Sequence, residues 1–216
     1  MKYKTYSLIP FFAVGLVIFF SACSGNTNKQ HEETQTIEEV KEDLYSLNTD
    51  SIDLRWTAFK TTSKLAVGGA FDSIRVYGPH TKEGTIQQLL LGAKLEIFTS
   101  SINSNNIIRD EKLSNIFFGN DSSNKIIATI GSVGADNSVE ISLAMNGTLK
   151  QLKGSYVLDN NTLTLTTSVD VLEWNMDSPL KALNLACEDL HKGEDGLSKL
   201  WPNVEVTITC PLTIIE

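Results

Sequence analysis

An alternation of aliphatic and polar side chains over residues 162–171, interrupted at Thr167, constrains the fold more than any other feature of this 216-residue chain. Leu163, Leu165, Val169 and Val171 fall on one side, and threonine, serine and aspartate side chains fall on the other. A period of two is that of a β-strand with one packed face and one wet face. Seven further strands are predicted, over residues 52–60, 64–77, 92–99, 125–133, 138–148, 149–158 and 204–210.

Two helices are expected among these strands. Residues 106–118 place Leu113, Ile116 and Phe117 at helical spacing, and residues 180–191 follow Ser178-Pro179, a pair that is typical of a first helical turn. Short strands joined by turns, without a run of βαβ units, predict an all-β domain in which the strands are antiparallel. A barrel and a sandwich are both open at this point. Gly68-Gly69 within a strand predicts a bend or a bulge.

The N-terminus has the pattern of an exported lipoprotein. Lys2 and Lys4 precede an apolar run over residues 8–20 that is short for a bilayer span. Phe20-Ser21-Ala22-Cys23 resembles a lipobox, in which the cysteine becomes the acylated first residue; an ordinary secretory signal with a coincidental cysteine is the alternative. The predicted organisation is a signal peptide (1–22), a lipidated Cys23 with a polar tether (23–50) and a folded domain (51–216). Within the tether, residues 36–47 carry a capping-box pattern and helical spacing, which predicts a short helix.

The charge of the chain excludes some partners. It has 18 basic and 26 acidic residues, a net charge of −8. Removing residues 1–22 takes away Lys2 and Lys4, so that the mature chain is near −10. This acidity argues against binding to nucleic acid and against electrostatic docking on anionic lipids. Membrane attachment would therefore depend on the acyl chains of Cys23.

Several motifs together resemble the YceI-like family. The first is Ser100-Ser101-Ile102-Asn103 followed by Arg109-Asp110, Leu113 and Phe117-Phe118; the second comprises Trp56, Lys60, Gly69 and Phe71; the third covers residues 183–201. The resemblance implies an antiparallel eight-stranded lipocalin-like barrel with two short helices. It also implies binding of a polyisoprenoid or another amphiphilic lipid.

A cavity for such a ligand would be lined by large apolar side chains. The candidates are Trp56, Phe59, Phe71, Phe117, Phe118, Leu143, Met145, Leu165, Trp174 and Trp201. Each of them is also an ordinary core residue in a barrel that is filled by its own side chains, and alternation does not say which face of a strand points inward. The resemblance favours the cavity.

The remaining cysteines leave two questions open. Cys187 and Cys210 either form a disulfide, which an oxidising compartment permits, or remain two free thiols. Cys187 and His191 share a helix face, so that a metal pair or a nucleophile is conceivable, but no further ligand or orienting residue is evident. A helix end with a cationic residue near its dipole is the favoured interpretation.

We therefore expect a membrane-anchored envelope lipoprotein that binds an isoprenoid-like amphiphile, without catalysis, cofactor or metal. The alternative is a structural or interaction module of the envelope with a filled barrel, and an enzyme that uses the Cys187–His191 region is a third hypothesis. The sequence does not determine the oligomeric state.

Overall fold

The computed structural model describes residues 42–78, 81–119 and 123–215. The predicted signal peptide, Cys23 and the tether up to residue 41 lie outside these described residues. Those predictions are neither supported nor contradicted by the structure.

Twelve strands form one sheet in the described part of the chain. They are β1 (Leu44–Leu47), β2 (Asp53–Lys60), β3 (Leu65–Phe71), β4 (Ile74–Tyr77), β5 (Glu83–Gly84), β6 (Lys94–Phe98), β7 (Ile102–Asn103), β8 (Lys125–Val133), β9 (Ser138–Met145), β10 (Thr148–Asp159), β11 (Thr162–Asp170) and β12 (Leu200–Ile215). Every pairing is antiparallel, and the order is β4-β6-β8-β9-β10-β11-β12-β2-β3-β7, with β1 on β12 and β5 on β1. The predicted antiparallel all-β architecture is confirmed.

The sheet curls until its two ends meet. β4 directly follows β3, and β7 follows β6 after a turn at Thr99–Ser101. Two hydrogen bonds join the junctions: Asp72 N–H donates to Ser101 O (2.9 Å), and Phe98 N–H donates to Ser73 O (3.1 Å). The curled sheet therefore has an inner face that the alternation of each strand fills with apolar side chains.

The predicted number of eight strands is not confirmed. A bend at Asp72-Ser73 divides the strand predicted over residues 64–77. In addition, β1, β5 and β7 are two to four residues long, which is too short for an alternation to mark them. Gly68 and Gly69 cause neither bend nor bulge, because the pairing of β2 with β3 stays in register through both.

The short helix predicted over residues 36–47 is wrong where the structure describes it. Leu44–Leu47 is strand β1, which pairs with the end of β12 from Leu212 to Ile215. Tyr45 on this strand is buried in the core. The folded part therefore begins before the predicted boundary at Ser51.

Four short α-helices accompany the sheet among the described residues: α1 (Ile86–Leu90), α2 (Ile107–Lys112), α3 (Asp177–Ala186) and α4 (Glu188–His191). α2 continues into a single π turn, Leu113–Phe117, within the predicted helix 106–118. The helix predicted over residues 180–191 is divided at Cys187, where φ is −123° and ψ is 21°. No helix among the described residues is both long enough and apolar enough to cross a membrane.

The core consists of two clusters on the inner face of the sheet. One contains Leu89, Val139, Leu163 and Cys210 together with Tyr45, and α1 supplies part of it. The other contains side chains from α3, the π turn and the strands around them; its members include Trp56, Phe117, Phe118, Trp174 and Leu183. The hollow described next is lined by residues of both clusters.

Candidate ligand cavity

The inner face of the sheet encloses an apolar cavity of about 180 Å³. Thr167 supplies a hydroxyl group, and almost all the rest of the wall is aliphatic or aromatic. An apolar cavity of this size stays dry and accepts an apolar guest, since one of about 150 Å³ takes up benzene. The interior is therefore not plugged by the protein's own aromatic side chains.

Strand register explains why these side chains converge. Residues that face each other across an antiparallel pair project from the same side of the sheet. Leu143 faces Ala128, and Leu165 faces Ile208. All four line the cavity, while polar neighbours such as Ser142 and Thr166 point the other way.

Eight of the ten predicted ligand-binding residues line the cavity: Trp56, Phe71, Phe117, Phe118, Leu143, Met145, Leu165 and Trp201. Phe59 does not, because it lies on the opposite face of β2 from Trp56 and Ala58 and contributes to a neighbouring hollow. Trp174 is fully buried beside the cavity, where its Nε1–H donates to Leu143 O at 3.0 Å. It is a structural core residue.

Three phenylalanines form one aromatic part of the wall. The rings of Phe117 and Phe118 lie edge to face with centroids 4.9 Å apart, and those of Phe71 and Phe118 are 6.4 Å apart. The π turn presents Phe117 and Phe118 together; it is closed by the Phe118 N–H donating to Leu113 O at 3.0 Å. Isolated π turns of this kind are often found at functional sites.

Gly69 allows Trp56 to lie against the sheet. A Cβ at Gly69 would be 2.5 Å from Trp56 Cζ2 and 2.6 Å from Asn103 O, which is closer than real Cβ contacts. Trp56 Nε1–H donates to Ala70 O at 3.1 Å. The glycine is needed for this close approach of a side chain rather than for a backbone bend.

A hydrogen-bonded network fixes α2 beside the cavity. Arg109 donates from Nε to Ser104 Oγ and from Nη2 to Ser104 O, both at 2.7 Å. The Asp110 carboxylate accepts from the Ser104 backbone N–H at 2.9 Å and from its hydroxyl. Arg109 and Asp110 thus both hold the buried Ser104, a residue that the sequence analysis did not single out.

A second hollow, of about 320 Å³, adjoins the cavity. We call it the basic pocket, because Lys60, Arg109 and Lys112 line it together with His191, and no aspartate or glutamate does. Burial lowers the pKa of His191, and the positive charges of Lys60 and then Lys112 lower it further. His191 Nδ1 is 2.9 Å from Asn184 Oδ1, which accepts from a protonated Nδ1.

The two cysteines do not form a disulfide. Both are free, and they belong to different clusters of the core: Cys210 is buried beside Leu163 on β12, and Cys187 lines the basic pocket. Burial raises the pKa of the Cys210 thiol to about 11. The alternative of two free thiols is therefore the correct one.

No metal site is evident in the part of the chain that the structure describes, since no three His, Cys, Asp or Glu side chains converge there. Cys187 and His191 both line the basic pocket, but Lys112 Nζ is 3.5 Å from Cys187 Sγ. An ammonium group at this position disfavours a cation there.

Two solved structures share this fold across almost their whole length. One is a polyisoprenoid binding domain from Saccharophagus degradans, implicated in plant cell wall breakdown, which matches with a TM-score of 0.52 and 14% sequence identity. The match covers 79% of this chain and 98% of that domain. The other is BcnA from Burkholderia cenocepacia, with a TM-score of 0.53 and 9% sequence identity. That match covers 77% of this chain and 99% of BcnA. No family model and no curated protein matches the sequence. At such identities the likeness shows the fold alone. The chain has the YceI-like fold.

In this YceI-like fold, the residues that carried the sequence resemblance lie around one part of the cavity. Trp56, Phe71, Leu113, Phe117 and Phe118 line it, and Gly69 supports Trp56. A signal that sequence reasoning missed is the capping box from Thr85 to Gln88, which begins α1 and buries Leu89.

Proposed function

We propose that this protein is a membrane-anchored envelope lipoprotein that binds an amphiphilic, isoprenoid-like lipid in the apolar cavity. The observation that carries the proposal is the unfilled hollow of about 180 Å³ with an almost wholly apolar wall. The polyisoprenoid binding domain from Saccharophagus degradans has the same fold, and its ligand class supports the proposal.

The energetics of the empty cavity favour a ligand. At about 24 cal/mol per Å³, an unfilled volume of 180 Å³ forgoes about 4 kcal/mol of packing. A filled barrel, as in a purely structural module, would not lose this stabilisation. Each CH₂ group of a ligand that enters the cavity contributes about 0.8 kcal/mol before the costs of association.

The size of the cavity limits what it holds without rearrangement. Because a benzene ring occupies a cavity of about 150 Å³, the hollow of 180 Å³ accepts a comparable stretch of hydrocarbon. A longer chain has to continue into the adjoining basic pocket or displace side chains of the wall. Binding without turnover is part of the proposal, since the cavity wall offers the Thr167 hydroxyl and no acid, base or thiol.

The anchor belongs to the proposal on sequence grounds. Residues 1–23 have the order of a basic start, an apolar run, small residues and Cys23. We expect Cys23→Ser to move the protein from the membrane fraction to the soluble fraction and to abolish labelling by a radioactive fatty acid. Equal labelling of the variant would overturn the anchor and leave the ligand proposal intact.

Lipid extraction tests the ligand. The full chain, purified from its membrane fraction and extracted with organic solvent, should release a stoichiometric long-chain lipid that mass spectrometry identifies. After delipidation, prenyl alcohols of increasing length should quench the fluorescence of Trp56 and Trp201, because both line the cavity. Neither co-purified lipid nor saturable quenching would mean that the hollow has no lipid ligand.

A further inference from the structure

The basic pocket adjoins the apolar cavity. The two hollows share five lining residues: Trp56, Ala58, Leu113, Leu183 and Leu200. Ile108 and Leu190 add exposed apolar surface to the outer part of the basic pocket, with 65% and 64% of their areas accessible. A chain that leaves the cavity on this side passes between apolar side chains and then meets the charged groups.

The cations of this pocket form no direct ion pair within the described part of the chain, although Arg109 and the Asp110 carboxylate both bind the Ser104 hydroxyl. Among the described residues, none of Lys60, Arg109 and Lys112 has an aspartate or glutamate oxygen within 4 Å. Elsewhere in the same sheet and helices, Lys125 pairs with Glu96 at 2.8 Å and Lys181 with Asp177 at 2.7 Å. What distinguishes Lys60, Arg109 and Lys112 is that all three line one pocket whose wall contains no aspartate or glutamate.

Each cation is held in place and still has donors to spare. Lys60 Nζ donates to Leu190 O and Lys112 Nζ donates to Ala186 O, both at 2.9 Å. An ammonium group has three N–H donors and a guanidinium has five, so that each of the three side chains keeps unused donors. Groups that are already fixed lose little conformational entropy when an anion binds.

His191 lies close enough to two of the cations to respond to their charge. The residue is 9% exposed and lines the same pocket. Its pKa is lowered by burial first, and then by Lys60 and Lys112. A negative charge placed between the two ammonium groups would oppose this effect and raise the pKa.

We propose that the basic pocket holds the anionic headgroup, a carboxylate or a phosphate, of the single-chain amphiphile whose tail lies in the apolar cavity. This inference rests on the proposed lipid-binding function and makes it specific. Lys60, Arg109 and Lys112 bind the headgroup through charge-assisted hydrogen bonds, which are roughly twice as strong as neutral ones.

Three probes with one C10 chain test the headgroup: geraniol, geranyl phosphate and geranic acid, titrated into the delipidated full chain by calorimetry. We expect at least one of the two anions to bind at least tenfold more tightly than geraniol. Comparing phosphate with carboxylate identifies the headgroup, and inorganic phosphate alone should bind far more weakly than geranyl phosphate. Equal binding of inorganic phosphate would overturn the amphiphile assignment.

A pair of matched variants locates the effect. In Lys60→Gln/Lys112→Gln the ratio of anion affinity to geraniol affinity should fall to within about twofold of one. Lys150→Gln/Lys153→Gln removes two exposed lysines from β10, an equal change of net charge, and should keep the ratio. Equal loss of the ratio in both variants would mean that overall charge, and not the basic pocket, selects the anion.

A measurement on the unaltered protein covers the case that the first variant does not fold. The pKa of His191, followed by NMR, should rise when the preferred anion binds and stay constant with geraniol. If geraniol binds and neither anion binds more tightly, the headgroup inference is wrong and the lipid-binding proposal stands. If no probe binds, both are wrong.

Discussion

Ala128→Phe is the sharpest test of where a ligand lies. Ala128 is on β8, faces Leu143 across the sheet and lines the apolar cavity. The substitution adds a phenyl ring where the wall is apolar. Since a ring of this size fits a cavity of about 150 Å³, it fills most of the 180 Å³ that is available.

Ala128→Phe should weaken ligand binding and raise the stability of the fold. Filling a cavity typically stabilises a protein by about 0.5–2 kcal/mol, so the melting temperature should rise by roughly 1–8 °C for a domain of this size. A ligand that loses burial of about five CH₂ groups loses about 4 kcal/mol, which is roughly a thousandfold in affinity. The variant should therefore be at least as stable as the natural protein and no longer bind prenyl alcohols.

Ala144→Phe provides a matched control. Ala144 lies on β9 between the cavity residues Leu143 and Met145 and projects from the other face of the strand. The same substitution there leaves the cavity unchanged, and binding should be retained. Thermal unfolding and fluorescence titration of both variants decide the matter: a folded Ala128→Phe protein with unaltered affinity would show that the ligand does not occupy this cavity.

Three further predictions concern the scaffold. Gly69→Ala should lower the free energy of unfolding by about 1–3 kcal/mol, because the new Cβ meets Trp56 and Asn103. Gly78→Ala is the control: its new Cβ has no atom within 4 Å, and the free energy of unfolding should change little. Urea unfolding measures both variants. The pKa of His191 is lower in the folded protein than its ordinary value near 6.5. The unfolded chain therefore binds more protons, and the free energy of unfolding should fall as the pH drops below about 6.5. His191→Gln should weaken this pH dependence above pH 5, and an unchanged curve of stability against pH would contradict the prediction. Because Cys187 and Cys210 are free thiols, the melting temperature should be the same with and without dithiothreitol, and a drop in reductant would reveal a bridge.

The strands that can be predicted from the sequence are those with one buried face and one wet face. In β11, Leu163, Leu165 and Val169 are buried and the hydroxyl side chains between them are at least partly accessible, so burial and alternation agree. β1 resembles a helix in its sequence because Leu44 and Leu47 are three residues apart. Pairing with the far end of β12 decides its structure, and no local pattern contains that information.

The cavity wall can be predicted in part, because large apolar residues must go inside whatever the fold. The face of a strand that points inward cannot be predicted from the sequence. For this reason the sequence groups Phe59 with Trp56, although they lie on opposite faces of β2. Trp174 also looks like a ligand-binding residue from its size, although its ring is fully buried. The difference between a lining residue and a core residue depends on packing between distant elements.

The basic pocket is beyond sequence reasoning for the same reason. Lys60 ends β2, and Arg109 and Lys112 belong to α2. The two lysines are 130 and 74 residues away along the chain from the carbonyl groups of Leu190 and Ala186 that hold them. These segments meet only because the sheet curls and α3 packs against the π turn that continues α2. No spacing along the chain marks that meeting.

The acidity of the whole chain does not argue against an anionic ligand in this pocket. At physiological ionic strength, charges that are farther apart than about 8 Å are largely screened when they are exposed. The aspartates and glutamates are absent from the wall of the pocket, whereas three cations line it. The local charges therefore determine affinity at contact, and the net charge acts on the approach from solution.

Because local charges act on the bound anion and the net charge acts on its approach, salt should affect the association and dissociation rate constants of geranyl phosphate differently. Raising the ionic strength should accelerate association slightly, because it screens the repulsion between the anion and the acidic chain. It should accelerate dissociation as well, because it weakens the attraction between the headgroup and the cations of the basic pocket. Stopped-flow fluorescence at several salt concentrations measures both constants. Association that slows steeply with salt would mean that a positive surface beyond the pocket attracts the ligand.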